Sequence, residues 1–568
     1  MSGERQVLSE ARQISCDVLI IGAGSAGCVV ASRLSEDPSL KVVLAEAGSD
    51  FGPDENAEIA NLYPLSYFNP DYLWPNTMAR WSQASPQTPF PVGRGVGGSS
   101  LVMGMWALRG FPQDYDEWEQ GGATGWNWTT LLPYFDRIEN DLDFPRAGDP
   151  GPVAIHRQKE ATWPVFTRRV VEAAKQQRLK YIPDINTQFE DGIYRVPISA
   201  THSSRVSTAR AYLSAEVRRR RNLLILSDAE CERLLVADKN VTGAVLRRRN
   251  GPVHVRTRLT VLSAGAIGSP RLLMKSGIAN AIELKNVGID VVHHLPAVGK
   301  NLQNHAGVTL GVHLSQAAAS TPISQNSAFV AIRASSTMMR SDLYFSVLDR
   351  TSWSYFGARV AAINTVLHKP FSRGRVMLER ISGGLKVTPE FQFLSDERDG
   401  PRLFRALLLA DALIQSTSVR PLVRQTGIVK MSNLIRRITK RSTANSIFDH
   451  VSGALLPRMP AVEAQIIRQI LRTAPQDTGP SDIMLASQGL SNMVTGLFHP
   501  VGSCRMGARD DDAAVVTSDG LVRGLSGLCV CDASIMPSIP RANTNLPTMM
   551  IGERMSDIIK DMLRQQPA

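Results

Sequence analysis

The residues best able to do chemistry lie toward the C-terminal end of the chain. Phe498-His499-Pro500-Val501-Gly502-Ser503-Cys504-Arg505-Met506-Gly507 sets a single histidine ahead of a strand-like run. Asn543-Thr544-Asn545-Leu546-Pro547 sets an asparagine ahead of a helix-like one. An imidazole with a reference pKa of about 6.5 is largely neutral near pH 7 and can accept a proton. A carboxamide can both donate to and accept from a substrate oxygen. Far earlier, Gly22-Ala23-Gly24-Ser25-Ala26-Gly27 has the spacing of a phosphate-binding glycine turn. If these parts serve one reaction, both ends of the chain must close one site.

The elements around the glycines fit that demand. Cys16-Asp17-Val18-Leu19-Ile20-Ile21 reads as a buried parallel strand and residues 28–34 as a helix, so the glycines sit in a strand-turn-helix unit. The first glycine allows the tight turn, the second lets backbone approach a pyrophosphate, and the third lets helix and strand pack closely, with the helix N-terminus facing the phosphates. Lys41-Val42-Val43-Leu44-Ala45 is a second strand that ends at Glu46, whose carboxylate can accept from an adenosine ribose. Nothing in this unit separates FAD from NAD.

The next loop does. Gly93-Arg94-Gly95-Val96-Gly97-Gly98-Ser99-Ser100, followed by an apolar segment to Leu108-Arg109-Gly110, has no use in an NAD domain. With it the chain resembles the glucose/methanol/choline family of FAD-dependent oxidoreductases. Further matches are Gly265-Ala266-Ile267-Gly268-Ser269-Pro270-Arg271-Leu272-Leu273-Met274-Lys275-Ser276-Gly277-Ile278, Pro296-Ala297-Val298-Gly299-Lys300-Asn301-Leu302-Gln303-Asn304-His305, Ser372-Arg373-Gly374-Arg375-Val376 and the two C-terminal runs. Together they cover residues 15–565 in the family's order. Trp74-Pro75-Asn76, Asp114-Tyr115-Asp116-Glu117-Trp118 and Ala542-Asn543-Thr544-Asn545-Leu546-Pro547 look like the hydroxymethylfurfural and aryl-alcohol oxidases of that family. The tract from His499 to Met506 is equally similar to its choline dehydrogenases.

The resemblance implies FAD held by Gly22, Gly24, Ser25, Ala26, Gly27, Glu46, Ala47, Arg94, Gly97, Gly98, Ser99 and Met103. It adds the backbone of Cys231 against the adenine, Ala264 and Gly265 at the second signature, and Asp532 and Ala533 beside the ribityl and phosphate region. Asn545 and Pro547 stand at the head of a final helix, expected to start around Pro547, whose positive end faces the flavin pyrimidine. It makes His499 the base and Asn543 the residue that orients the substrate oxygen, for a primary alcohol, an aromatic one among the candidates, oxidised to an aldehyde by hydride transfer to flavin N5. Dioxygen or another electron acceptor then reoxidises the flavin. Two positions depart from the family's pattern. Met103 stands where an asparagine is usual, which predicts a drier, looser wall there unless another group fills the role. Val102 stands where choline oxidases carry a flavin-linked histidine, so the FAD is expected to be noncovalent.

The remainder of the chain predicts an α/β fold, a Rossmann-like FAD-binding domain (15–150, 201–305 and 491–568) interleaved with a substrate-binding α+β domain (151–200 and 306–490). Alternating stretches such as Asp342-Leu343-Tyr344-Phe345-Ser346-Val347 suggest an antiparallel sheet over the substrate. Trp353, Tyr355 and Phe356 either line a pocket or, the weightier reading, fill core. In residues 430–441, Met431, Leu434, Ile435 and Ile438 recur at helical spacing among Lys430, Arg436, Arg437, Lys440 and Arg441. Such a helix either lies on an anionic membrane surface or, the weightier reading, covers the site entrance with its apolar stripe on the protein. The net charge of +11 comes from residues spread along 568 positions, so nucleic-acid binding is not expected. Six scattered cysteines suggest no metal site and a reducing compartment. With no apolar leader and no run near the roughly 18 apolar residues of a membrane span, a soluble cytoplasmic protein is expected. Two other functions compete: a lyase like the hydroxynitrile lyases, with a structural flavin, and a membrane-surface protein without chemistry.

Overall fold

The apolar run ahead of the first glycines is a strand, β1 (Arg12–Ile21), in the computed structural model, which describes residues 12–146, 148–318, 328–429, 433–472 and 487–565. Helix α1 (Ser25–Leu34) and the wholly buried strand β2 (Val42–Ala45) follow. Residues 18–21 of β1 and 42–44 of β2 are Val, Leu and Ile because there the sheet is covered on its two faces. Later residues supply β3 (Leu223–Leu226), β4 (Glu230–Ala237), β5 (Asn240–Arg248) and β6 (Gly251–Leu262), and β6 leads into helix α2 (Gly265–Lys275). The C-terminal end adds β7 (Leu528–Val530) and helix α3 (Asn545–Gln565).

These strands form one sheet in the order β4-β5-β6-β1-β2-β3, with β7 paired to the last residues of β6. β1 runs parallel to both neighbours, with Val18 opposite Leu259 of β6 and Val42 of β2, while β4-β5 and β5-β6 are antiparallel. This is the Rossmann-like sheet that the sequence predicts. Helix α3 lies across α1, and Gly552 is small enough for the crossing: a Cβ there would sit 2.9 Å from the Val29 Cβ. The final helix thus starts at Asn545, two residues before the proline expected to mark its head.

A second sheet of eight strands is antiparallel throughout. Its order is Leu471–Arg472, Val423–Val429, Ala306–Leu314, Val360–Leu367, Leu343–Leu348, Ala328–Ala334 and Gly192–Arg195, with Thr495–Gly496 also pairing Ala306–Leu314. Helices Val165–Gln176 and Asp399–Ile414 share a core with it, in which Phe166, Val170, Ala410 and Leu413 meet Phe329, Phe345 and Ile363. Gly307, Thr309, Asn364 and Thr365, from its two central strands, line the main cavity. Thr309 donates to Asn364 across the strand pair at 2.8 Å, so even this polar face is internally bonded.

Two aromatic positions resolve in favour of core. Trp353 is buried with Tyr63 and Leu65 and its indole N–H donates to the Thr439 carbonyl at 2.6 Å, and Phe356 is buried with Ile435, Leu456 and Ile467. The basic stretch forms a short helix, Asn433–Thr439, with Ile435 buried and Ile438 packed into that same cluster. Ile435 and Ile438 are therefore covered by the protein itself, while Lys430, Met431 and the Leu434 side chain lie outside what is described. No described helix is long and apolar enough to cross a membrane.

Candidate active site

A cavity of about 780 Å³ lies between the two sheets and touches the start of every element the glycine motifs precede. The first glycine turn carries the chain from β1 into α1 at φ +100° for Gly22, and a Cβ on Gly27 would fall 2.0 Å from the Gly22 carbonyl oxygen. The second glycine loop locks onto it, with Gly97 N–H donating to the Ala23 carbonyl at 2.7 Å. Ser25 Oγ, at the head of α1, donates to Asn545 Oδ1, at the head of α3. Helix α2 starts at Gly265, whose N–H donates to Asp532 Oδ2 at 2.9 Å. Three helix N-termini, each a positive dipole end, thus meet one cavity.

These residues fit an FAD. Gly22, Gly24, Ser25, Ala26, Glu46, Ala47, Gly98, Ser99, Met103, Cys231, Ala264, Gly265, Asp532, Ala533 and Asn545 all line the cavity. Arg94 is not on the cavity wall but stands behind it, donating to the Ala47 carbonyl at 2.8 Å and stacking over Trp74, both of which line it. Gly27, Gly97 and Pro547 act one step back, in packing. Glu46 is less free than its ribose role suggests. Its carboxylate accepts from the N–H of Ala23, Gly48 and Gly95 at 3.0, 2.8 and 3.2 Å, leaving about one of four lone-pair sites for a ligand. Asp532 likewise accepts from Gly265, Ser269 and Ser534, which leaves about one lone-pair site beside its backbone for a cofactor. Burial pushes the Cys231 thiol up to about 12, which makes it a small apolar filler rather than a nucleophile. Gly98 has φ +55° and a Cβ there would lie 2.7 Å from the Gly24 Cα, forcing the two glycine loops apart. With strain of about 1–3 kcal/mol at such a position, Gly98→Ala is expected to weaken FAD retention about tenfold, read from the flavin-to-protein absorbance ratio and an FAD titration.

At the far end of the cavity stand His499 and Asn543. Phe498 adopts φ +57°, a left-handed turn that its ring secures by packing on Tyr67 and Phe90 at 5.9 and 5.5 Å. His499 N–H then donates to Asn304 Oδ1 at 3.0 Å. The imidazole is gripped at both nitrogens: Nδ1 lies 2.9 Å from His305 Nδ1, and Nε2 lies 2.9 Å from the Asn543 amide nitrogen. His305 Nε2 lies 3.0 Å from the Pro540 carbonyl oxygen. A carbonyl only accepts, so His305 Nε2 carries the hydrogen and its Nδ1 is a bare acceptor. His499 Nδ1 must therefore donate, which leaves the lone pair on His499 Nε2, where the Asn543 amide donates to it. Burial, helped by His305, holds His499 well below the ordinary imidazole value, and burial brings His305 down to about 4.

The loops that carry this pair are tied down by polar groups the sequence left without a role. Asn301 donates to the carbonyls of Gly502 and Pro537 at 3.2 and 3.1 Å, and Gln303 bonds the Pro537 carbonyl and the Ile539 N–H. Asp114, fully buried, accepts from Arg541 N–H and Nε at 2.7 and 3.0 Å and lies 3.3 Å from Lys369 Nζ. Arg205 holds the loop after Ser99 by donating to the carbonyls of Ser100 and Met103 at 3.2 and 2.6 Å. Met103 itself packs with Ile59, Tyr72, Leu101 and Val102, so an apolar wall stands where an amide is usual. The signal for Asn301, Gln303, Asn304 and His305 was their density in one short motif. Arg205 carried none.

Two sequence models described as GMC oxidoreductase match residues 16–307 and 370–552. The 5-(hydroxymethyl)furfural oxidase of Methylovorus sp. is 34% identical across 96% of this chain and 98% of its own. The oxygen-dependent choline dehydrogenase of Vibrio vulnificus is 30% identical across 97% and 95%. Among solved structures, pyridoxine 4-oxidase from Mesorbium loti superposes with a TM-score of 0.79 at 24% identity, covering 97% of this chain and 100% of that one, a likeness of fold.

Proposed function

Because the chain belongs to the GMC oxidoreductase family, FAD-dependent enzymes acting on CH–OH donors, we propose that it oxidises a neutral primary alcohol, aromatic or otherwise apolar, to the aldehyde, with His499 as base and Asn543 orienting the substrate oxygen. The observation that carries the proposal is the lone pair on His499 Nε2, fixed from behind by His305 and set 2.9 Å from the Asn543 amide at the cavity wall. When bound, FAD supplies the hydride acceptor. The chain's own part is to take the hydroxyl proton onto His499 Nε2, which raises electron density on the oxygen and eases departure of the hydride. Asn543 gives up its N–H contact to the imidazole and offers it to the substrate oxygen, holding the carbinol hydrogen in one direction. Val102 is buried and offers no nucleophile for a covalent link, which supports noncovalent FAD.

The lining supports the substrate class. Tyr67, Phe68, Met105, Trp106 and Phe498 make this end of the cavity apolar and aromatic, and Arg436 adds a cationic side chain beside Tyr67. A guanidinium disfavours a cationic alcohol such as choline. The test is an anaerobic flavin-bleaching screen of benzylic, furanic and aliphatic alcohols with choline included, followed by turnover scored once by peroxide and once by an artificial acceptor dye. Rapid bleaching by aromatic or apolar primary alcohols is expected. Choline as the fastest substrate, or no bleaching by any alcohol in a flavin-loaded protein, would overturn the proposal. Asn543→Ala is expected to slow flavin reduction roughly tenfold, the lower part of the range for a misoriented substrate, with FAD content unchanged in the purified protein.

A further inference from the structure

The helix Thr443–Leu455 carries its apolar side chains toward solvent instead of into a core. Ile447 is 61% exposed, Phe448 48%, Val451 48% and Leu455 54%, and the stripe runs on through Met459 and Val462. With 3.6 residues per turn the first four share one side of the helix. Ser452 is its one buried residue. The helix is held instead by the Phe448 ring against Phe356 at 6.3 Å and by Asp449, which accepts from the Tyr355 N–H. A contiguous apolar stripe of this kind on a protein surface marks a place where something docks.

Charge selects the occupant. The exposed charged side chains from residue 435 to residue 470 are Arg437, Lys440, Arg458 and Arg468, all cationic. The carboxylates of that stretch are turned inward, Asp449 onto the Tyr355 backbone and Glu463 onto Arg359 at 2.6 Å. A second copy of the chain would bring like charges together at this face. A bilayer with anionic headgroups takes both parts at once, the apolar side chains at the acyl boundary and the cations among the phosphates. We propose that this face docks the protein on an anionic lipid surface. The apolar element of the dock is the helix after the basic stretch, since Ile435 and Ile438 are turned into the body.

Docking there sets the rim of the substrate cavity beside the lipid. Phe68 and Arg436 line the cavity, the Arg441 N–H donates to the Phe68 carbonyl at 3.0 Å, and the Arg441 guanidinium lies 4.7 Å from the Trp353 ring. Apolar alcohols concentrate at that boundary. The inference does not rest on the proposed chemistry, and its test reads binding alone.

The full-length holoprotein is co-sedimented with vesicles of mixed phosphatidylglycerol and phosphatidylcholine, and with vesicles of phosphatidylcholine only. Binding to the anionic vesicles that weakens with added salt is expected. The combined Phe448→Asp, Val451→Asp and Leu455→Asp variant should lose at least about tenfold in vesicle affinity while keeping its flavin and its oxidation of a water-soluble alcohol. Phe448→Asp alone should move the same way. Absence of wild-type binding to anionic vesicles, or equal binding by the combined variant, overturns the proposal. So does a wild-type dimer, seen by light scattering, that the combined variant dissolves without any vesicle binding.

Discussion

His499→Ala is expected to lower the rate of flavin reduction by an alcohol at least about a hundredfold, the ordinary range for losing a positioned general base. The purified variant should remain yellow. The cradle is built from Gly22, Gly24, Gly98, Gly265, Asp532 and the heads of three helices, and the imidazole bonds none of them. The measurement is anaerobic stopped-flow bleaching at saturating alcohol, which isolates the step before any acceptor enters. An unchanged limiting rate would remove His499 from the base role. A pH series adds a second reading. Burial holds the His499 pKa well below 6.5, so as pH falls the neutral, proton-accepting form persists past the point where an exposed histidine would charge. In the wild type the acid limb of flavin reduction is therefore expected below about pH 6.5, and His499→Ala should abolish that limb along with the rate.

The parts legible in the sequence were those where local chemistry and position coincide. β1, the glycine turn and α1 were readable because a continuous apolar run, three close glycines and a helix must occur in that order for a phosphate to approach backbone, and Glu46 because it ends the next strand. His499, the proposed proton acceptor, stood out by its motif. What surrounds it did not. His305 lies 194 positions from His499 in sequence, and nothing local distinguishes a histidine that supports another imidazole from one that packs in a core. The second sheet was foreseen as antiparallel, yet its edge strand Gly192–Arg195 and its partner Ala328–Ala334 are far apart in the chain, a pairing no periodicity encodes. The basic stretch shows the limit of pattern reading most plainly. The structure describes a helix over Asn433–Thr439 of the 430–441 stretch, and only the neighbouring Phe356, Leu456 and Ile467 decide that Ile435 faces inward, leaving the exposed stripe to the next helix.

His305→Leu is expected to slow flavin reduction about a hundredfold without touching substrate, by the kind of loss seen when a supporting group no longer fixes a tautomer. The reason lies in the chain from the Pro540 carbonyl through His305 to His499. With His305 Nδ1 gone, His499 Nδ1–H points at an apolar side chain and is left unpaired in a buried site, at a cost of about 1–3 kcal/mol. Moving the hydrogen to Nε2 escapes that cost, and the lone pair that must accept the substrate proton disappears with it. His305→Asn sets an amide oxygen near the former Nδ1 and should recover all but about tenfold of the rate, because one acceptor behind His499 is enough to restore the reactive tautomer. The two variants separate positioning from packing. A positioning role predicts that the limiting rate falls while the alcohol concentration giving half of it stays put, and that Asn rescues what Leu loses. Equal rates in the two variants, or a loss confined to alcohol affinity, would reduce His305 to a filler of the core and leave the orientation of His499 to Asn543 and Asn304.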